Sequence, residues 1–159
     1  MRIIIDTREQ KISHIVRYFY DNKINYDFMK LNFGDYTTVE TFEKVVIERK
    51  NGLDELKANL CTKLGRKRFI KEFAKARRNK VEFYLLIENA KNYNDILTMK
   101  NKIKALNYVS NAAYFNIFHD FFHHQNRSRE IAGLNKIKII FCQPEDTGEK
   151  IVEILKKYL

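Results

Sequence analysis

Two carboxylates and a lysine are spaced in this sequence so that they can meet at one point. Asp35 precedes, and Glu48 ends, a segment in which residues 36–39 and 44–48 predict two short β-strands around a turn. In a symmetric hairpin, Asp35 and Glu48 face each other across the base, where cross-strand Cβ atoms lie about 4.5–5.5 Å apart. Lys50 stands two residues after Glu48, so both side chains point to the same face of the strand.

Such a set of side chains suits metal-assisted hydrolysis of a phosphodiester. Mg²⁺ prefers oxygen ligands and usually keeps several waters while it binds one or two carboxylates and phosphate oxygens. A lysine beside the ion can orient or activate the attacking water and stabilise the extra negative charge of the transition state. Taken alone, the same three residues are also typical of a solvated hairpin edge, where charged side chains discourage strand pairing.

The elements that must position these residues are predicted from hydrophobic periodicity. Short apolar or alternating runs predict further strands over residues 2–5, 25–31, 81–88 and 136–141. Helical stripes predict helices over residues 10–22, 53–60, 66–80, 92–106, 110–125 and 146–158. Asn51 is the expected N-cap of the second helix, and Asp146 with Glu149 the expected capping pair of the last. The alternation predicts a single α/β domain over residues 1–159, with a mixed central β-sheet flanked by helices on both faces.

The charge of the chain favours a polyanion as partner. The net charge is +10, and the predicted helix over residues 66–80 carries eight basic residues against one acid, Glu72. A charge run is often a solvated face, but like charges one turn apart repel, which favours contact with a phosphate backbone. The predicted DNA-binding residues are Arg66, Lys67, Arg68, Lys71, Lys75, Arg77 and Arg78.

Cysteine usage and hydropathy bear on the compartment. Cys61 and Cys142 lie far apart without metal-ligand spacing, which indicates reduced thiols. No apolar run approaches the about 18 residues of a spanning helix, and the N-terminus passes straight into a predicted strand. We therefore expect an intracellular protein, cytoplasmic or nucleoid-associated and not secreted.

Several motifs occur in an order that resembles one known family. They are residues 3–9 (IIIDTRE), 31–36 (LNFGDY), 46–50 (VIERK) with Asp54, 65–66 (GR) and 84–88 (YLLIE). Together they resemble the nuclease domain of the XPF family, structure-specific DNA endonucleases of the PD-(D/E)xK superfamily. That family has a restriction-endonuclease-like fold and a G-D-x(n)-E-R-K-x3-D signature. The resemblance runs from Met1 to about Asn89 and resumes weakly over residues 141–159.

The resemblance implies a metal site. It makes Asp35 and Glu48 ligands of Mg²⁺ or Mn²⁺, together with the backbone carbonyl of Ile47, and it assigns Lys50 to the attacking water. Asp6 is a second-tier ligand, and it also stands at the carboxyl end of a predicted strand, where open α/β sheets place ligands.

Four further residues match the family pattern. On an ideal strand Arg49 points away from Glu48, so we expect it to position Asp54 or a DNA phosphate. Asp54 in the first turn of a helix favours the macrodipole and gains a supporting catalytic role from the signature. Arg8 and Glu9 are supporting residues, with an ion pair at a helix start as an equal alternative.

The resemblance implies a metal-dependent endodeoxyribonuclease that cuts flap, fork or junction DNA in replication, recombination or repair. The alternatives are a Holliday-junction resolvase, a catalytically silent DNA-binding subunit, or a basic scaffold in which the carboxylates only cap and pair.

Family members usually carry a helix-hairpin-helix module and some carry a helicase; neither is expected in this chain. Targeting is therefore expected from the basic face, from a partner protein, or from a homodimer through the nuclease domain. The aromatic residues of the predicted helix over residues 110–125 cover more than one narrow stripe, which predicts a core position, with a surplus apolar face for such a dimer as the alternative. Residues 91–135 are expected to hold an inserted helical pair.

Overall fold

A six-stranded mixed sheet forms the centre of the protein in a computed structural model that describes residues 1–99, 109–123 and 136–159. Its strands are β1 (Arg2–Asp6), β2 (Asn25–Met29), β3 (Tyr36–Thr38), β4 (Val45–Lys50), β5 (Glu82–Ile87) and β6 (Lys138–Phe141). The spatial order is β2-β1-β3-β4-β5-β6, in which β3 runs antiparallel to β1 and β4 and the other pairs are parallel. The β3–β4 hairpin is therefore central, which excludes the solvated-edge interpretation.

Helices cover both faces of this sheet. The α-helices of the described residues are α1 (Ser13–Asp21), α2 (Leu53–Cys61), α3 (Lys63–Arg78), α4 (Asp95–Thr98), α5 (Asn111–His123) and α6 (Thr147–Lys156). One core packs α2, α3, α4 and α5 against one face, and a second core packs α1 and α6 against the other. The predicted α/β class, with a mixed sheet between two helical layers, is confirmed.

The alternation of side chains along β4 decides which face each charged residue meets. Val46 belongs to the core under α2 and α3, whereas Ile47 belongs to the core under α1 and α6. Because side chains alternate along a strand, Glu48 and Lys50 continue the row of Val46. Arg49 continues the row of Ile47, toward the opposite helical layer. Three consecutive charges are thus divided between two faces of one central strand.

Two predicted helix caps are corrected by the structure. Gly52, at φ +115°, is the N-cap of α2, and the Asn51 N–H instead donates to the Glu55 carboxylate over 3.0 Å. A short 3₁₀ turn, Pro144–Asp146, precedes α6, and the Asp146 side chain makes no capping hydrogen bond. Main-chain geometry replaces the expected side-chain cap at both places.

The region of the expected helical insertion is only partly described. The helix predicted over residues 92–106 ends at Thr98, because Met99 has left helical geometry at ψ 140°, and residues 100–108 lie outside the described ranges. The helix predicted over residues 110–125 corresponds to α5, and residues 124–135 lie outside the described ranges. None of the helices within the described ranges is long and apolar enough to cross a membrane.

The aromatic residues of α5 turn inward. Tyr114, Phe118, Phe121 and Phe122 are at most 3 % exposed and pack in the core of this chain. The core position predicted for these four residues is confirmed, and they do not form a surplus apolar face.

Candidate active site

The hairpin register brings the two predicted acids together. Tyr36 pairs with Ile47 in the antiparallel ladder, so Asp35 stands opposite Glu48 one position toward the base, as predicted. The Asp35 N–H donates to the Ile47 carbonyl over 2.7 Å. The Asp35 carboxylate accepts the Arg49 N–H over 2.8 Å, which fixes it against the end of β4.

Gly34 forms the tight corner that aims Asp35. Its φ of +58° lies in the left-handed region, and a Cβ there would lie 2.9 Å from the Ile47 carbonyl oxygen. From the neighbouring helix α3, the Glu72 carboxylate accepts the Gly34 N–H over 3.3 Å. The signature glycine is therefore required both by backbone geometry and by the close approach of β4.

Lys50 lies directly on Glu48. Its Nζ is 2.5 Å from Glu48 Oε1 and 3.6 Å from Glu55 Oε1, and it stands 5.2 Å from the centre of the Phe69 ring. Glu48 and Lys50 are each only 8 % exposed. The pair is thus held in a largely desolvated position beside Asp35.

Burial and mutual repulsion raise the pKa values of Asp35 and Glu48. Burial raises the pKa of Glu48 to about 7, Lys50 opposes this rise, and Glu72 and Glu9 add to it. Burial, then the neighbouring Glu48 and Glu9, raise the pKa of Asp35 well above its usual range. Two desolvated carboxylates that repel each other favour either a shared proton or a cation between them. Their hard oxygen atoms are the ligands that Mg²⁺ and Mn²⁺ prefer.

Lys50 stays charged in this environment. Burial lowers its pKa, but Glu48, Glu55 and Asp35 together outweigh burial, and the pKa is raised. A protonated ammonium donates hydrogen bonds and does not accept a proton. Of the two roles expected for Lys50, the contacts favour orienting the water over deprotonating it.

Two backbone carbonyls of β4, those of Ile47 and Arg49, face the edge at which Asp35 lies. The Ile47 carbonyl already accepts the Asp35 N–H and is covered by Gly34. Because backbone carbonyls alternate along a strand, the Arg49 carbonyl faces the same edge of β4 as the Ile47 carbonyl, beyond Tyr36, the residue of β3 that pairs with Ile47. In the described part of the chain, no three His, Cys, Asp or Glu side chains are placed to hold one metal ion together. An ion here would therefore complete its shell with backbone oxygen, water and phosphate, as Mg²⁺ commonly does.

Arg49 has other partners than those expected. Its Nη1 lies 2.8 Å from Glu88 Oε2, its Nη2 donates to the Gln10 carbonyl over 2.7 Å, and its Nε contacts the Glu9 carboxylate. The side chain is buried between these groups, and its hydrogen bonds go to them and not to Asp54. It holds β4 to β5 and to the loop after β1.

Two residues of this buried network did not figure among the sequence candidates. Glu88, fully buried at the end of β5, accepts from Arg49 and lies 2.8 Å from the His14 ring nitrogen Nε2. The Tyr36 hydroxyl donates to Glu9 over 3.2 Å. The sequence signals for Glu88 are its position as an acid closing an apolar strand and its place in the YLLIE motif that resembles the family.

Asp6 is occupied by hydrogen bonds within the protein. Its carboxylate accepts the Arg8 N–H over 2.7 Å, the Arg8 guanidinium over 2.7 and 2.8 Å, and the Leu31 N–H over 2.6 Å. Burial would raise its pKa, but these donors outweigh burial and lower it. The contacts favour a structural role over the metal role expected by resemblance. Arg8 pairs with Asp6 and not with Glu9, so the helix-start ion pair is not formed.

Asp54 stands in the first turn of α2 and lines a cleft of about 480 Å³ with Arg8, Glu9 and Arg49. One of its oxygens, Oδ1, is buried without a hydrogen-bond partner. The signature acid therefore lies beside the network of Arg49 without pairing with it.

The basic helix runs along the site. It begins at Lys63, three residues before the predicted start, and the Thr62 hydroxyl caps it by accepting the Gly65 N–H. Phe69 and Glu72 face the Gly34 corner, and Lys75 Nζ lies 5.0 Å from the centre of the Phe33 ring. Of the predicted DNA-binding residues, Arg66 is half-buried, and the exposed ones are Lys67, Arg68, Lys71, Lys75, Arg77 and Arg78.

The mixed sheet, the Gly-Asp corner and the facing E-R-K strand define a restriction-endonuclease-like domain. The family model described as the ERCC4 domain matches residues 5–154, and the chain belongs to this family of structure-specific nucleases. The match confirms the resemblance to the XPF-type nuclease domain. No curated protein matches the sequence.

Proposed function

We propose that this protein is a Mg²⁺- or Mn²⁺-dependent endonuclease that hydrolyses phosphodiester bonds in branched or structured DNA. The observation that carries the proposal is the desolvated Asp35–Glu48 pair, with Lys50 on Glu48, at the corner that faces a strongly basic helix. Membership of a structure-specific nuclease family supports the substrate class.

The carboxylates of Asp35 and Glu48 would hold the ion. We favour the Arg49 carbonyl as the backbone ligand over the predicted Ile47 carbonyl, which Asp35 and Gly34 already cover. When bound, the ion supplies a Lewis acid and a water of lowered pKa.

Lys50 supplies a fixed positive charge. Because its ammonium is held by Glu48 and covered by Phe69, it is pre-oriented toward the corner. Donors that are already in place as charge develops lower the barrier without a reorganisation cost. Lys50 would donate to the attacking water or to a phosphate oxygen.

The exposed cations of α3 would hold the phosphate backbone beside this corner. Such contacts position DNA without reading bases, which suits an enzyme that recognises DNA shape.

Cleavage of end-labelled substrates tests the proposal. Flap, fork, four-way junction and linear duplex DNA are incubated with Mg²⁺, Mn²⁺ or EDTA. We expect metal-dependent cutting of branched forms that Glu48→Ala abolishes and Glu40→Ala retains, because Glu40 is an exposed acid at the other end of the same hairpin. Cutting that survives Glu48→Ala would overturn the assignment. Binding without cutting in either metal would favour a catalytically silent subunit.

Binding measured against salt concentration tests the DNA path. Removing two phosphate contacts with Lys71→Ala/Lys75→Ala should reduce the slope of log K against log salt by about 2. Lys156→Ala/Lys157→Ala removes the same charge at the end of α6, on the opposite face, and should leave the slope nearly unchanged. Equal effects of the two pairs would argue against a path along α3.

A further inference from the structure

A buried polar cluster lies between α2 and α5, next to the proposed site. Among the described residues, the buried side-chain oxygens without a hydrogen-bond partner are Asp54 Oδ1 on α2 and the Tyr114 hydroxyl on α5. Tyr114 is fully buried. Burial raises its pKa first, and Cys61 and Asp54 add to the rise. Because Asp54 and Lys57 are three residues apart on α2, their side chains are neighbours on the helix surface that faces Tyr114.

Lys57 brings a positive charge to the same place. It is fully buried, one helical turn after Asp54, and its Nζ lies 5.8 Å from the centre of the Tyr114 ring. One of its three N–H groups donates to the Val109 carbonyl over 2.9 Å. An acid, a phenol and an ammonium thus converge between two packed helices.

The chemistry of these groups selects the occupant of the space between them. The Lys57 ammonium would repel a metal ion, and the Asp54 carboxylate would repel an anion. An apolar group would leave both oxygens without a hydrogen bond. A buried water typically makes about 3 hydrogen bonds to otherwise unsatisfied polar groups. It can donate to Asp54 Oδ1, bond the Tyr114 hydroxyl and accept from Lys57.

We propose that one ordered water molecule joins Asp54, Tyr114 and Lys57 and holds the Asp54 carboxylate in the active site. Tyr114 and Lys57 are then positioning residues, and the aromatic helix α5 acts on the site through this water. The positioning role rests on the proposed nuclease function, whereas the water itself does not.

The change in melting temperature caused by Tyr114→Phe, measured without metal or DNA, tests whether the water is present, because the two possibilities predict changes of opposite sign. If the water is present, the variant loses a hydrogen bond and melts below the wild type. If the hydroxyl is truly unsatisfied, its removal relieves a desolvation penalty and the variant melts above the wild type. An increase or no change would overturn the proposal. A crystal structure with a water within about 3 Å of both oxygens would support it directly.

Cleavage kinetics well below the melting temperature test the positioning role. We expect Tyr114→Phe to lower kcat about fivefold, the scale of one hydrogen bond. Asp54→Asn should lower kcat as well, and Tyr114→Phe should add no further loss in that background. Additive losses would overturn the positioning role.

Tyr84→Phe is the matched control. The Tyr84 hydroxyl is 2.8 Å from that of Tyr158, on the α6 side of the sheet, so its removal should lower the melting temperature without changing kcat. If the wild type does not cut DNA at all, the proposed function is wrong. The melting temperature of Tyr114→Phe still decides whether the water is present.

Discussion

The stability of the metal-free protein should fall as pH rises through the titration of Glu48. The folded-state pKa of Glu48 is about 7, against an ordinary value of 4.5. Below pH 4.5 the residue is protonated in both the folded and the unfolded state. Between these values the unfolded state releases the proton that the folded state keeps, so the free energy of unfolding decreases with pH.

The size of the effect follows from the same two values. Each pH unit across this window is worth about 1.4 kcal/mol, so Glu48 alone accounts for about 3 kcal/mol between pH 4.5 and pH 7. Asp35, whose pKa is also raised, acts in the same direction. Lys50 titrates above this window, because its pKa is raised from an already high value.

Urea denaturation in EDTA, from pH 4.5 to pH 8, measures this decrease in the free energy of unfolding. Glu48→Gln keeps the shape of the side chain without its titration, so its curve should fall less steeply than that of the wild type. Saturating Mg²⁺ should restore stability at pH 8 in the wild type, by about 2.7 kcal/mol at a hundred times its Kd, and not in the variant. Parallel curves for the two proteins would refute the reasoning.

Two other residues give separate tests. Arg49→Met leaves Glu9 and Glu88 buried without their counter-ion and should lower the free energy of unfolding by about 3–5 kcal/mol, whereas the exposed Arg17→Met should change it by about 0.5 kcal/mol or less. A loss below about 1 kcal/mol for Arg49→Met would contradict the buried network. Glu72→Gln keeps an acceptor for Gly34 but removes a negative charge beside Glu48, so calorimetry should show weaker Mn²⁺ binding for it, as for Glu72→Ala. Wild-type affinity in Glu72→Gln would reduce Glu72 to a structural anchor.

The part of the site that could be predicted consists of residues that lie close together in the sequence. Asp35 and Glu48 meet across one hairpin, whose register is set by a short turn, and Lys50 follows by the alternation of a strand. The strands and the two helical layers follow likewise from hydrophobic periodicity, which is present in the sequence wherever one face of an element is buried.

The part that could not be predicted depends on contacts between distant segments. Arg49 meets Glu9 and Glu88 from about forty residues away on either side, and no local pattern encodes that pairing. Glu72 looked like one acid on a basic surface, although its spacing from Phe69 and Phe73 places it toward the inward stripe of α3. The resemblance and the strand-end position both favour Asp6 as a ligand, and only the loop geometry shows that Arg8 and Leu31 occupy its carboxylate.

Three consecutive charged residues at the end of a central strand also have an evolutionary consequence. Glu48, Arg49 and Lys50 are 8 %, 5 % and 8 % exposed, where packing alone would favour apolar side chains. Replacing buried ion pairs with well-packed apolar residues is often neutral or stabilising. Mutations that replace Glu48 and Lys50 together would therefore remove the proposed metal site while leaving the fold intact. On the proposed function, activity and not folding requires Glu48 and Lys50, so inactive descendants of this domain are easily reached once selection on activity relaxes.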